Sequence, residues 1–259
     1  MSTASARADG VRVLITGGTS GLGAAMAAAL LDAAAMVAVT GRDAARAGAA
    51  ARNLGRGAIG IGMDVRDEHE VGRGVDRACG ELGGLDVLVN NAGLGMRAVN
   101  PRFITEPQPF WTVPPEGFRD VVATNLSGYF LVARAVVPRM LAAGAGRVVN
   151  ISMNHATMNR KGFVPYGPAR AGAEALSRIM AADLAGSPVT VNLLLPGGAT
   201  ATGMVPAGAA PEGMRLLDPA VMGPPIVWLA SAEAAGVHDE RIVAAEFGDW
   251  LRARQVKRP

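Results

Sequence analysis

At 259 residues the chain is long enough to bury one substantial core; half of its residues are apolar, and its formal charge is only +3 despite a pI near 9.6. The basic residues are scattered, with no run of five or six, which argues against a nucleic-acid or acidic-membrane face. Cys79 is the lone cysteine, so no disulfide framework forms, and His69, His155 and His238 lack ligand spacing, so no metal site is expected.

Residues 1–10 (MSTASARADG) are polar and lack the apolar core of a secretory signal. They read as a flexible tail ahead of one domain over 11–259, in a cytoplasmic protein. The longest apolar stretch, 24–39, is interrupted by Asp32 and reads as helix plus buried strand, not a membrane span. Val11–Ile15 is a β-branched run of the kind buried in parallel sheets. It leads into TGGTSGLG (16–23), where Gly17, Gly21 and Gly23 allow a tight turn and let backbone N–H groups approach a pyrophosphate. An Ala-rich helix over Ala24–Leu31 follows, and its N-terminal dipole favours the same anion. A second strand, Met36–Thr40, comes at βαβ distance.

That second strand ends at Gly41-Arg42-Asp43. An NAD site places a carboxylate there for the ribose hydroxyls; here glycine stands in its place beside Arg42, whose fork suits a 2′-phosphate. NADP(H) is therefore expected over NAD. A helix over Ala44–Leu54, a strand over Ala58–Met63, a helix over Asp67–Gly83 and a strand over Leu85–Val89 continue the alternation. Residues 94–117 then hold five prolines and three of the eleven aromatics without period, as a lid or binding loop would. Phe103, Phe110 and Trp111 are its expected contacts with a cyclic or aromatic substrate. Beyond lie a helix over Phe118–Leu141, a strand over Arg147–Ile151, a helix from Tyr166 to Leu184 and a strand over Val189–Leu195. Residues 199–219 read as a second, irregular cover, before a helix near Pro224–Ser231 and a strand near Arg241–Ala245. The pattern predicts an α/β fold: a single doubly wound Rossmann-type domain around a mostly parallel seven-stranded sheet.

TGGTSGLG (16–23), Asp64-Val65, NNAG (90–93), Asn125, YGPAR (166–170) and Pro196-Gly197 occur in an order and spacing that resemble the short-chain dehydrogenase/reductase family over nearly the whole chain. The resemblance implies a nicotinamide cofactor and homodimers or homotetramers. It implies that Gly17, Thr19, Ser20, Gly21, Leu22 and Gly23 hold the diphosphate, and that Asp64 and Val65 meet the adenine. Asn91, Ala92 and Gly93 would line the cleft, and Pro196, Gly197 and Thr202 would meet the nicotinamide end. Asn125 and Tyr166 would belong to the catalytic set.

A tyrosine of ordinary pKa is a poor proton shuttle at neutral pH, and a fixed cation nearby favours its phenolate. Tyr166 and Arg170 stand i, i+4 on one helical face, which permits that coupling. The family has lysine at the second place. Arginine keeps the charge but gives up its proton reluctantly, and the only lysines, Lys161 and Lys257, do not fit. The family's carbonyl-polarising serine, 13 residues before the tyrosine, falls at Met153. Asn154 is the favoured substitute, with Ser152 the alternative, and His155 reads as a loop residue. The expected reaction is hydride transfer between NADP(H) and a small-molecule carbonyl or alcohol. Two other readings keep the fold: a non-redox enzyme resembling halohydrin dehalogenases, against which the intact Gly17, Gly21 and Gly23 argue, and a non-catalytic NADP binder.

Overall fold

The computed structural model describes residues 6–55, 57–205 and 215–256. Its short apolar runs form seven strands: β1 (Arg12–Ile15), β2 (Met36–Gly41), β3 (Ala58–Gly62), β4 (Val87–Asn90), β5 (Gly146–Ile151), β6 (Val189–Leu195) and β7 (Arg241–Val243). All pair in parallel in one sheet, in the order β3-β2-β1-β4-β5-β6-β7. Period-two geometry splits the core. Val13 and Ile15 face one side, Leu14 the other, and both sides are dry. The first side packs under α1 (Gly21–Asp32) and α8 (Gly223–Ala230), the second under α3 (Glu68–Leu82) and α5 (Gly128–Ala143). The order reverses between β1 and β4, so the loops leaving their carboxyl ends diverge and open a crevice.

Local sequence sets the helix ends. Asp43 and Asp67 accept hydrogen bonds from Arg46 N and Glu70 N and so cap α2 (Ala44–Leu54) and α3. The N-terminus of α1 has no such cap: the Ser20 side chain makes no capping bond and no acidic residue stands in the first turn. Its free N–H groups open at the crevice.

Several boundaries differ from the sequence reading. Helix α1 starts at Gly21 rather than Ala24, so part of the glycine motif is its first turn. The expected helix over 118–141 starts at Pro115, well placed at a first helical position, as α4 (Pro115–Val122). A single π turn over Ala123–Ser127 separates it from α5. By length and hydropathy Pro115–Ala143 could cross a membrane, but Val121, Tyr129, Val132, Val136 and Met140 are buried against the rest of the fold. A short helix α6 (His155–Met158) precedes α7 (Tyr166–Asp183). Helix α9 (Phe247–Val256) carries no helical-period signal beyond Phe247 and Trp250, which pack on Trp228. Of the expected tail, residues 1–5 lie outside the described residues; within 6–10, Ala8 is buried and its N–H donates to Ala33 O.

The two strands flanking the crevice are clamped at their other end. The Asp86 carboxylate accepts from Arg12 N at 2.8 Å, Nε at 2.8 Å and NH2 at 2.5 Å. Burial alone would raise its pKa, but the Arg12 bonds outweigh burial and hold it below the ordinary range. A depressed folded pKa means stability that is present above the unfolded value and lost as pH falls through the folded one. Asp86→Asn is expected to lower Tm by about 2–4 °C at pH 7, with the gap to the unsubstituted protein closing below pH ~4. A gap that stays constant down to pH 2–3 (roughly the range in question) would contradict the clamp.

Candidate active site

The crevice deepens into a cavity of about 910 Å³ at the carboxyl edge of the sheet. The residues expected at the cofactor all line it: Gly17, Thr19, Ser20, Gly21, Leu22, Gly23, Arg42, Asp64, Val65, Asn91, Ala92, Gly93, Tyr166, Arg170, Pro196, Gly197 and Thr202. They come from the segments after five different strands and from the first turns of the helix that begins at Tyr166, which is why sequence separation hides their proximity.

At the centre the loops after β1 and β4 are knitted together. Thr16 Oγ1 accepts from Asn91 N at 2.9 Å and Ala92 N at 3.0 Å, and Asn91 Nδ2 donates to Thr16 O and Gly17 O. Gly17 has φ +64°, and a Cβ there would stand 2.7 Å from Ala92 Cα. No side chain fits, so the backbone itself forms the floor. Beyond it lies the uncapped end of α1, an anion site by charge and geometry.

One end of the cavity is cationic. Arg42 and Arg46 both line it, and neither makes an ion pair with a carboxylate among the described residues. Arg46 gives no signal in the sequence because it follows a helix cap rather than a strand. The Asp64 carboxylate is already committed. It accepts a fork from Arg66, at 2.7 Å from NH2, which holds its pKa low with a smaller contribution from Arg42.

The other end is built by α7 lying against the end of β5. Tyr166, Arg170 and Glu174 follow at i, i+4 and i+8, on one face of the helix. Arg170 is only 3% exposed. Its NH1 donates to the Tyr129 hydroxyl at 2.6 Å and to Ile151 O at 2.8 Å, and its guanidinium carbon lies 5.3 Å from the Tyr166 ring centroid. Burial works against the cation, but Tyr129 and Tyr166 outweigh it, and its pKa is raised above the ordinary guanidinium value. Arg170 is therefore charged at every working pH. Its Nε is buried and has no hydrogen-bond partner among the described residues, in a side chain that lines the cavity.

Gly93 makes room for this arrangement, since a Cβ there would stand 2.5 Å from Arg170 NH2. Tyr129, absent from the sequence reading, is fully buried. Its signal is present in the chain, which has only two tyrosines, and this one lies one helical turn beyond Asn125.

The remaining expected residues lie as follows. Asn125 does not line the cavity. It is buried in the π turn, where Oδ1 accepts from Leu94 N at 2.7 Å and Nδ2 donates to Leu94 O at 2.9 Å, so it holds the chain leaving Gly93. The Ser152 hydroxyl donates to Glu174 Oε1 and is not free to donate to a ligand. Glu174 also meets His155 Nε2 at 3.0 Å and Arg241 Nε at 3.1 Å. Burial would raise its pKa, but these three partners outweigh burial and keep it an anion. Asn154 lines the cavity with one N–H given to Gly197 O at 2.9 Å and the second uncommitted. Met153 lies in an apolar cluster with Met96, Phe103, Met158 and Phe163. Of the aromatics expected to touch substrate, Phe103 lines the cavity, whereas Phe110 and Trp111 are exposed and do not. The cover over 199–219 lines the cavity from Ala199 to Val205; residues 206–214 lie outside the described residues.

The fold and this cavity define a dinucleotide-binding α/β protein. The family profile "short chain dehydrogenase" matches residues 11–212, and the chain belongs to that family. It is 30% identical to the 3-oxoacyl-acyl-carrier-protein reductase FabG of Vibrio harveyi, across 90% of this chain and 95% of the relative. It is 36% identical to D-threitol dehydrogenase of Mycolicibacterium smegmatis, across 73% and 70%. The crystal structure of a gluconate 5-dehydrogenase from Burkholderia cenocepacia J2315, in complex with NADP and tartrate, superposes with a TM-score of 0.81 at 27% identity, across 94% and 97%. The class is that of redox enzymes working between carbonyl and alcohol.

Burial pushes the Tyr129 phenol up, opposed in part by Arg170. With two tyrosines in the chain, alkaline titration followed by phenolate absorbance resolves this directly. One of them is expected to ionise only as the protein unfolds, and Tyr129→Phe to remove that late component. Two phenols ionising together near pH ~10 would contradict the burial of Tyr129.

Proposed function

We propose that the chain is an NADP(H)-dependent oxidoreductase that interconverts a small carbonyl compound and its alcohol. The observation that carries this reading is the convergence of Tyr166 and Arg170 with the glycine loop and Arg42 on one cavity. The cavity fits the cofactor on three counts: a floor too close for any Cβ at Gly17, an uncapped helix end, and the orphan Nε of Arg170 awaiting an acceptor such as a ribose hydroxyl. When bound, the nicotinamide supplies or accepts the hydride.

The chain's own residues do the rest. Backbone N–H groups from Gly17 to Gly23 receive the diphosphate, and Arg42 with Arg46 receives the 2′-phosphate. Asn91, Ala92, Gly93, Pro196, Gly197 and Thr202 form the walls along the cofactor. In reduction, the Tyr166 hydroxyl would give its proton to the carbonyl oxygen; in oxidation, its phenolate would take the proton of the alcohol. Arg170 stays cationic throughout and stabilises the phenolate oxygen, while protons exchange with water in the cavity rather than through the guanidinium. The second Nδ2–H of Asn154 polarises the carbonyl where Met153 cannot. Met96, Phe103, Met153 and Phe163 favour an apolar substrate, cyclic or aromatic. A homodimer or homotetramer is part of the same reading, supported by the exposed Phe130 on α5 and Ile179 on α7.

Two experiments test this. With NADPH and a panel of cyclic and aromatic ketones, cofactor oxidation is expected, and Tyr166→Phe should reduce it by about 10²–10⁴-fold. Unchanged turnover in that variant would remove Tyr166 from the chemistry. Arg42→Ala with Arg46→Ala should weaken NADPH binding by about tenfold or more and leave NADH within about twofold. Equal losses for both cofactors would contradict a 2′-phosphate site.

A further inference from the structure

Both tyrosines of the chain lie against the same buried guanidinium. The Arg170 carbon is 5.5 Å from the Tyr129 ring centroid and 5.3 Å from that of Tyr166. Its three nitrogens have different fates. NH1 is fixed by two acceptors, the Tyr129 hydroxyl at 2.6 Å and Ile151 O at 2.8 Å. The Tyr129 hydroxyl in turn donates to Ile151 O at 3.1 Å, so the three groups close a small ring of bonds. Nε has no partner among the described residues, and NH2 occupies the space that the missing Gly93 side chain leaves.

A guanidinium is planar, so fixing NH1 fixes the direction of the other two nitrogens. An ammonium has no such plane; its three donors rotate about one axis and need no second anchor. An arginine buried at position 170 with only Ile151 O to hold it would be free to turn its fork away from the cavity wall. Tyr129 itself is placed by the same segment that places Asn125. The π turn over Ala123–Ser127 sets the start of α5, and Asn90 Nδ2 donates to Tyr129 O at 3.3 Å, tying this residue to the end of β4.

Resting on the proposed function above, we infer that Tyr129 is a positioning residue that makes arginine workable at position 170. Its hydroxyl pins NH1 and so fixes the plane in which the guanidinium lies at the wall of the cavity beside Tyr166. The dependence is specific to the arginine fork, and a lysine at that position does not need it.

A double-mutant cycle over Tyr129→Phe and Arg170→Lys tests this, read by NADPH affinity from fluorescence titration and by kcat and KM for a reducible ketone. With Arg170 in place, Tyr129→Phe is expected to weaken NADPH binding about fivefold and lower kcat about tenfold, with ketone KM little changed. When the protein already carries Arg170→Lys, the same substitution should change each by less than about twofold. That second pair also guards against a folding artefact, because a loss of packing at residue 129 would appear with either cation. Equal losses in both backgrounds, or no loss beside Arg170, would overturn the inference while leaving the proposed function intact. NADPH binding without turnover would remove the redox step, yet the affinity arm would still decide the role of Tyr129. Absence of NADPH binding to the unsubstituted protein would overturn both.

Discussion

A single buried cation organises the chemical end of this molecule. The Arg170 guanidinium sits where burial alone would penalise charge; its NH1 is held by Tyr129 and Ile151 O, while its Nε has no partner among the described residues. The rest of the site is arranged around that partial satisfaction. Gly93 vacates space for NH2, Asn125 holds the chain beside it, and α7 brings Tyr166 over the same group. A buried charge left with free donors at a cavity wall is costly unless something fills the cavity. This gives a physical reason to regard the cavity as a ligand site rather than a packing defect.

The sheet makes the convergence possible. Seven parallel strands deliver all their carboxyl ends to one edge, and the reversal between β1 and β4 parts the loops there. Position along the cavity then decides role. The end near β2 carries arginines without carboxylate partners among the described residues, the middle presents bare backbone, and the end near β5 is apolar around one phenol and one cation. Glu174 keeps the Ser152 hydroxyl out of that last region by accepting its hydrogen bond. The Ser152 hydroxyl is thus committed, while Tyr166 and Asn154 both line the cavity.

Much of this is readable from the sequence, for identifiable reasons. Strands such as Val189–Leu195 announce themselves because both faces are buried and the run is largely apolar. The glycine loop and the Tyr166–Arg170 spacing are local patterns that fix local geometry. What escapes is non-local. Nothing near Tyr129 says that it meets a residue 41 positions away. Nothing near Ser152 announces a carboxylate two turns past Tyr166 as its acceptor. Nothing near Asn125 announces that its side chain holds the Leu94 backbone, 31 positions away. Phe110 and Trp111 look like binding aromatics because composition cannot tell an inward loop from an outward one. Helix α9 escapes because two aromatics three residues apart carry too little periodicity to stand out.

The claim on which the account stands is that Arg170 offers its free nitrogens to a dinucleotide bound along the edge of the sheet. Calorimetric titration of NADPH into Arg170→Met, beside the unsubstituted protein, measures that contribution without requiring a substrate. The variant is expected to bind about tenfold more weakly or worse, as follows from losing charge-assisted bonds in a buried site. Equal affinity in the two proteins would contradict it.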